Sequence, residues 1–259
     1  MKRNVKITAG VIAAIILILG CIIAVIINKD KLYDLYNPPF EETVIFPYDG
    51  RENPADTTFT VNGIEIKMIG VKGGKINCKG LRKTIEFDDF YIGETEVTQE
   101  LWISIMGNSP SVHNDNVLCP VENVSLPDCA DFVHKLDSVS GIKFYLQSYP
   151  EWLYAAHLGI KDANTLCYDE SLSWCKDNSD GIIHPVKQKK PNALGIYDMI
   201  GNVSEWTTSG SDPLFFVMGG SYETEKNNCK IDAYDICHAS VKMGSIGFRL
   251  VCYPESFQK

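Results

Sequence analysis

Pro191-Asn192-Ala193-Leu194-Gly195-Ile196-Tyr197-Asp198-Met199-Ile200-Gly201-Asn202-Val203-Ser204-Glu205-Trp206 is the most informative stretch of the chain. Turn formers recur every few residues: Pro191-Asn192, then Gly195, then Gly201-Asn202. The apolar and aromatic residues between them follow neither the 3.6-residue period of a helix nor the alternation of a strand. Glu205 stands between Val203 and Trp206, where a charge is costly to bury without a partner. The same texture runs from Leu166 to the C-terminus. It predicts an irregular domain with few long elements, held by turns and aromatic packing, with ions as further support.

Upstream the pattern is more regular. Phe59 to Ile69 alternates around Asn62-Gly63, a hairpin signal. Gly73-Gly74 marks a further turn, and Phe87 to Ile92 reads as one more strand. Three helices are legible. Thr98 caps the first, with Leu101, Trp102 and Ile105 inward and Gly107 at its end. Ser125 caps the second, with Asp128 three residues on and Cys129, Phe132, Val133 and Leu136 on one face. Ser148 and Glu151 make a capping box for the third, whose buried face is Trp152, Ala155 and Ala156 and whose stop is Gly159.

The N-terminus reads as a membrane anchor. Residues 7–27 carry no charge and hold thirteen Ile, Leu and Val. At 1.5 Å per residue they span about 31 Å, a bilayer core. Lys2, Arg3 and Lys6 bias the N-terminus to the cytoplasm, which puts the following domain in the periplasm or outside the cell. The competing reading is a lipoprotein signal, Ile18-Leu19-Gly20-Cys21, acylated at Cys21. The apolar run continues past Cys21, which favours the uncleaved anchor. The organisation expected is a cytoplasmic tip and transmembrane anchor at 1–28, a tether at 29–57 whose pattern is broken by Pro38-Pro39, Pro47, Asp49-Gly50 and Asn53-Pro54, and a globular domain at 58–255.

The net charge of −9 argues against a nucleic-acid partner, which would ask for a basic face. Beyond the anchor lie Cys78, Cys119, Cys129, Cys167, Cys175, Cys229, Cys237 and Cys252. An even number in an exported domain permits disulfides, and buried free thiols are the alternative. No C-x-x-C, H-E-x-x-H, P-loop or G-x-S-x-G occurs, and the five His are scattered. His134 and His157 read as surface or edge residues of helices.

A series of segments in order resembles the formylglycine-generating-enzyme (sulfatase-modifying-factor) family. Phe90-Tyr91-Ile92-Gly93-Glu94-Thr95-Glu96-Val97-Thr98 is similar to its F-x-I-x-x-x-E-V-T motif, and Pro120-Val121-Glu122-Asn123-Val124-Ser125 to its P-V-x-x-V-S/T strand. Pro150 to Ala156 resembles its E-W-E-Y-A-A helix. The opening stretch resembles P-N-x-x-G-L-Y-D-M-x-G-N-V-W-E-W. Gly219-Gly220-Ser221-Tyr222 and Gly247-Phe248-Arg249 complete the pattern. The resemblance covers about 190 residues and implies an irregular α+β fold related to C-type lectins. Ser204 replaces the usual Trp, and Met218 the Arg before Gly-Gly-Ser, so the chain is a divergent member.

The same resemblance implies two metal sites. The family's enzymes hold copper between two cysteines, whose places fall here on Thr224 and Cys229. Copper(I) takes soft thiolates, and a threonine hydroxyl is not one. Cys229 alone is a weak catalytic candidate; a core thiol is the expectation for it, and a disulfide with Cys237, eight residues on, is favoured over a catalytic pair of the two. A structural calcium is implied at Gly201, Asn202, Val203 and Glu205, with Asn178 at a second site; the alternative is a Glu205 that accepts backbone amides without metal. The leading reading is a membrane-anchored, non-catalytic module that binds a protein, glycan or peptide ligand or sits in an envelope complex. The alternatives are a copper oxidase that converts cysteine to formylglycine in sulfatases, and a retroelement-diversified binder with Tyr222 to Ile246 as its variable surface.

Overall fold

The computed structural model describes residues 43–45, 52–78, 81–158 and 169–257. The expected membrane span at 7–27, Cys21, Gly159 and Cys167 lie outside these residues. Among the described residues no helix is long and apolar enough to cross a membrane.

The fold is mixed α+β with few helices. In chain order it runs β1 (Thr43–Ile45), β2 (Thr57–Val61), β3 (Ile64–Val71), β4 (Gly74–Cys78), β5 (Lys83–Phe87), β6 (Phe90–Gly93), α1 (Gln99–Met106) and α2 (Leu126–Ser140). It continues with β7 (Tyr145–Leu146), α3 (Tyr149–Leu158), β8 (Ser204–Ser211), β9 (Leu214–Met218), β10 (Tyr234–His238), β11 (Ile246–Gly247) and β12 (Leu250–Cys252). Three small sheets result, with strand orders β1-β4-β5, β2-β3-β6-β12-β7 and β10-β9-β8-β11.

The helices form where their caps are. Thr98 accepts from Leu101 N, and Gly107 closes α1 in the left-handed region at φ 79°. Ser125 and Asp128 make a reciprocal capping box on α2. On α3, Ser148 N donates to Glu151 at 2.7 Å and Glu151 N returns to the Ser148 hydroxyl at 3.4 Å. The β2–β3 hairpin turns at Asn62-Gly63, both at positive φ, as two-residue turns require.

Two expectations are corrected. The tether is not wholly irregular, since Thr43–Ile45 pairs antiparallel with β4. Phe87 to Ile92 is not one strand. Asp88-Asp89 breaks it, and the Asp89 carboxylate accepts from Gly73 N at 2.8 Å. The two halves then join different sheets, β5 with β4 and β6 with β3.

Two apolar cores carry the burial. One packs α3 (Trp152, Leu153, Tyr154) against Ile69, Phe90, Met199 and Met218. The other packs α1 and α2 (Trp102, Phe132) against Trp206 and Phe248. From Asp169 to Val203 the described chain holds no named strand or helix, as the turn-rich sequence predicts, but the strand that follows, β8, runs for eight residues.

Candidate functional site

The Gly201-Asn202 turn is the point where distant segments meet. A Cβ on Gly201 would lie 2.0 Å from the Trp174 carbonyl oxygen, so only glycine fits. Asn202 is buried with φ 57°. Its amide oxygen accepts from His184 N at 3.0 Å, and its NH2 donates to His184 O and to Glu96 Oε1. Its backbone N–H donates to Trp174 O, and its carbonyl accepts from Tyr222 N. One asparagine thus fastens the segments at 174, 184 and 222, none of which belongs to a sheet or helix.

Two residues beyond Val203, Glu205 finds its partner. Arg249 Nη2 donates to Oε1 at 2.7 Å, and Nε lies 3.2 Å from both carboxylate oxygens. Oε2 also accepts from Gln147 Nε2 at 2.7 Å and Trp152 Nε1 at 3.0 Å. Arg249 spends its remaining donors on the Gly93 and Tyr197 carbonyls, both at 2.9 Å. Arg249 is 0% exposed and Glu205 1%. Charge pairs survive such burial only when their remaining hydrogen-bonding groups are also satisfied, which is the case here.

Glu96 and Asp198 make the hub acidic. Asp198 Oδ2 accepts from Lys187 N at 3.0 Å, but Oδ1 has no protein partner, and neither has Glu96 Oε2. Burial pushes the Asp198 carboxyl up to about 6, with Arg249 opposing. Burial and the neighbouring Asp198 push Glu96 well above the usual carboxylate range. Three carboxyl groups share one guanidinium, and burial favours the neutral forms of Glu96 and Asp198.

This geometry redraws the calcium expectation. Glu205 is not free to coordinate: both its oxygens are filled by side-chain donors, and a cation there would face the guanidinium. The donors are side chains, not the backbone amides of the metal-free alternative. Asn178 is engaged too, since its oxygen accepts from Cys175 N and its NH2 donates to Ser173 O, which closes a local turn. Val203 is buried and packs with Cys119, Ile183 and Tyr222. Among the described residues no three His, Cys, Asp or Glu side chains gather as a metal cage. The atoms that suit a hard cation are the unpartnered oxygens of Glu96 and Asp198.

The Thr224 position is equally specific. Gly219 and Gly220 are both at positive φ, and the Thr224 side chain folds back over Gly220. Thr224 Oγ1 accepts from Ser221 N at 2.9 Å, and Thr224 N donates to Ser221 O. The hydroxyl closes a turn. Cys229 is fully buried against the Gly219 carbonyl. Burial, and then the adjacent Cys175, push its thiol up to about 12. Cys229 sits in the core as the core-thiol reading expects, and the alternative pairing with Cys237 does not match the packing. Cys237, on β10, packs at the edge of the other core.

Sequence reasoning missed a brace under the stretch Tyr222 to Ile246. The Glu122 carboxylate accepts from His113 N at 2.8 Å, and the Tyr222 hydroxyl meets His113 Nε2 at 3.4 Å. The signal is Glu122 itself, an acid set between the buried Val121 and Val124. His157, expected at a surface or edge, is half-buried, and desolvation lowers its pKa. Outside this brace the stretch is turns plus the edge strand β10, and it exposes Tyr234, Ile236 and Met243 at 40%, 55% and 45%.

The model of the sulfatase-modifying factor enzyme 1-like domain matches residues 56–253. The chain belongs to this family. A solved structure, Treponema denticola variable protein 1, superposes with a TM-score of 0.70 at 27% identity, over 78% of this chain and 100% of that one. PvdO from Pseudomonas aeruginosa gives 0.66 at 18%, over 79% and 100% of the two chains. CarF gives 0.60 at 23%, over 73% and 98%. The last two show the fold alone. The chaperone protein LppX of Paenibacillus barcinonensis is 28% identical, over 48% of this chain. The chain spans 63% of that protein's length. The family membership is as the motifs imply, and the departures at Thr224, Ser204 and Met218 make this member divergent.

Proposed function

We propose that the domain is a non-catalytic member of its family that binds a protein, glycan or peptide through the surface formed by Tyr222 to Ile246. The observation that carries this reading is Thr224. At the place of the family's first copper cysteine, its hydroxyl is spent on a turn, and Cys229 is a buried thiol held far from the thiolate form that copper(I) needs. The exposed stretch is braced from beneath but free above, which is how loops present a recognition surface on a rigid scaffold. The likeness to a solved variable protein supports a surface on this fold that tolerates variation. The test is copper(I) titration of the purified protein against a competing chelator. No stoichiometric uptake is expected, and uptake that survives the chelator would overturn the reading in favour of the copper oxidase.

The module is anchored by residues 7–27, with its N-terminus cytoplasmic and its domain periplasmic or extracellular. The uncharged apolar run supports this. The chain is expected to stay with membranes through alkaline carbonate, and release of a soluble form would contradict the anchor. Calcium is the further ligand proposed, with Glu96 and Asp198 in place of Glu205 and Asn178. Binding there displaces the protons that burial favours on the two carboxyls and gives their unpartnered oxygens a ligand.

A further inference from the structure

We propose that Cys175 and Cys229 form a disulfide that clips the loop after Leu172 to the turns after Gly219. Both thiols are fully buried in the same apolar cluster. Both cysteines carry free thiols in this structure, and Cys175 is the neighbouring side chain that, after burial, raises the Cys229 pKa. Their backbones are already tied together: Lys176 N donates to Thr224 O at 3.1 Å, Trp174 bridges to Gly201, and Gly201 N donates to the same Gly219 carbonyl that Cys229 Sγ approaches. The two segments have no sheet or helix of their own, so the covalent link supplies a constraint that secondary structure does not.

The chemistry is a thiol–disulfide exchange with a protein disulfide of the exported compartment, the oxidant this step requires. One thiolate attacks the oxidant's disulfide to give a mixed disulfide. The second attacks that, which forms Cys175–Cys229 and returns the oxidant as a dithiol carrying both protons. Because both sulfurs end up buried, the exchange belongs to folding, before the core closes. The inference rests on the exported placement proposed above for its oxidant, while the pairing itself is a property of the fold.

The test refolds the full chain in detergent with oxidised and reduced glutathione, blocks free thiols under denaturing conditions, and maps peptides by mass spectrometry. The expected product is a Cys175–Cys229 linked peptide lighter by two hydrogens than the two thiol peptides together. Cys175→Ala should leave Cys229 alkylated and lower the melting temperature of the oxidised protein by roughly 5–15 °C. Cys237→Ala should retain the link, so the pairing stays testable even if Cys175→Ala does not fold. Full alkylation of both cysteines after oxidative refolding, or a Cys229–Cys237 peptide, overturns the proposal. A link formed by refolding in vitro, with free thiols in protein blocked directly in cells, upholds the pair and contradicts the exported placement instead.

Discussion

Glu205→Gln changes one oxygen into an NH2 and nothing in shape, yet it should be among the most damaging substitutions in the domain. Oε1 faces Arg249 Nη2, and Oε2 faces Gln147 Nε2 and Trp152 Nε1, so both oxygens accept. Whichever way the amide is turned, its NH2 points at a donor. The substitution also strips the paired charge from a guanidinium that is 0% exposed. Loss of one partner of a buried pair costs about 3–5 kcal/mol. Glu96 and Asp198 remain near Arg249 and keep the cost from rising beyond that range. For a domain of this size the fall in melting temperature is roughly 6–20 °C. The assay is thermal and urea unfolding of both proteins in a calcium chelator. Chelation matters: if Glu205 acted as a calcium ligand, the loss would appear only when calcium is present. A variant within about 1 kcal/mol of wild type in the chelator would refute the ion-pair account.

Three further outcomes follow from the same contacts. Millimolar calcium should raise the melting temperature, by about 2.7 kcal/mol of added stability at a hundredfold excess over Kd; Asp198→Ala should abolish that shift, and equal shifts in both proteins would place the ion elsewhere. His157 is held below its unfolded pKa by burial, so the folded state binds fewer protons just below pH 6.5 and stability falls as pH drops through that window. His157→Leu should flatten the fall between pH 7 and pH 5, and an unchanged slope would contradict the buried neutral ring. Ile236→Asp and Met243→Glu, on the exposed stretch, should leave stability within about 0.5 kcal/mol, while Ile231→Ala beneath it should cost about 2–5 kcal/mol. Comparable losses from all three would mean that the stretch is core and not a binding surface.

The fold's outline was legible wherever local rules operate. Thr98, Ser125 and Ser148 cap the helices they were read to cap, and Asn62-Gly63 turns the hairpin. Long-range partners were not legible. Glu205 announced itself as a charge that needed company, but its company, Arg249, lies 44 residues away, and Gln147 lies 58 away. No local pattern distinguishes a guanidinium from a calcium ion as the partner of a buried carboxylate. Cys229 shows the same gap. The core position of Cys229 was readable, but its neighbour was not: strand β10 carries Cys237 to the other core, and the turns after Gly219 place Cys229 in one cluster with Cys175. Asp88-Asp89 was readable as a turn, but the apolar run on either side of it hid the break between two sheets.

The chain has the family's fold, and we propose that it lacks the family's oxidation chemistry. The most direct measurement incubates the purified wild-type protein with copper(I), oxygen and a sulfatase-type cysteine peptide, and follows aldehyde formation by hydrazide capture and mass spectrometry. Thr224 offers a hydroxyl already bonded to Ser221 N, and Cys229 is sealed beneath the Gly219 turn, so no aldehyde above the protein-free control is the predicted result. Catalytic turnover of the peptide, with loss of activity on Cys229→Ala, would contradict it.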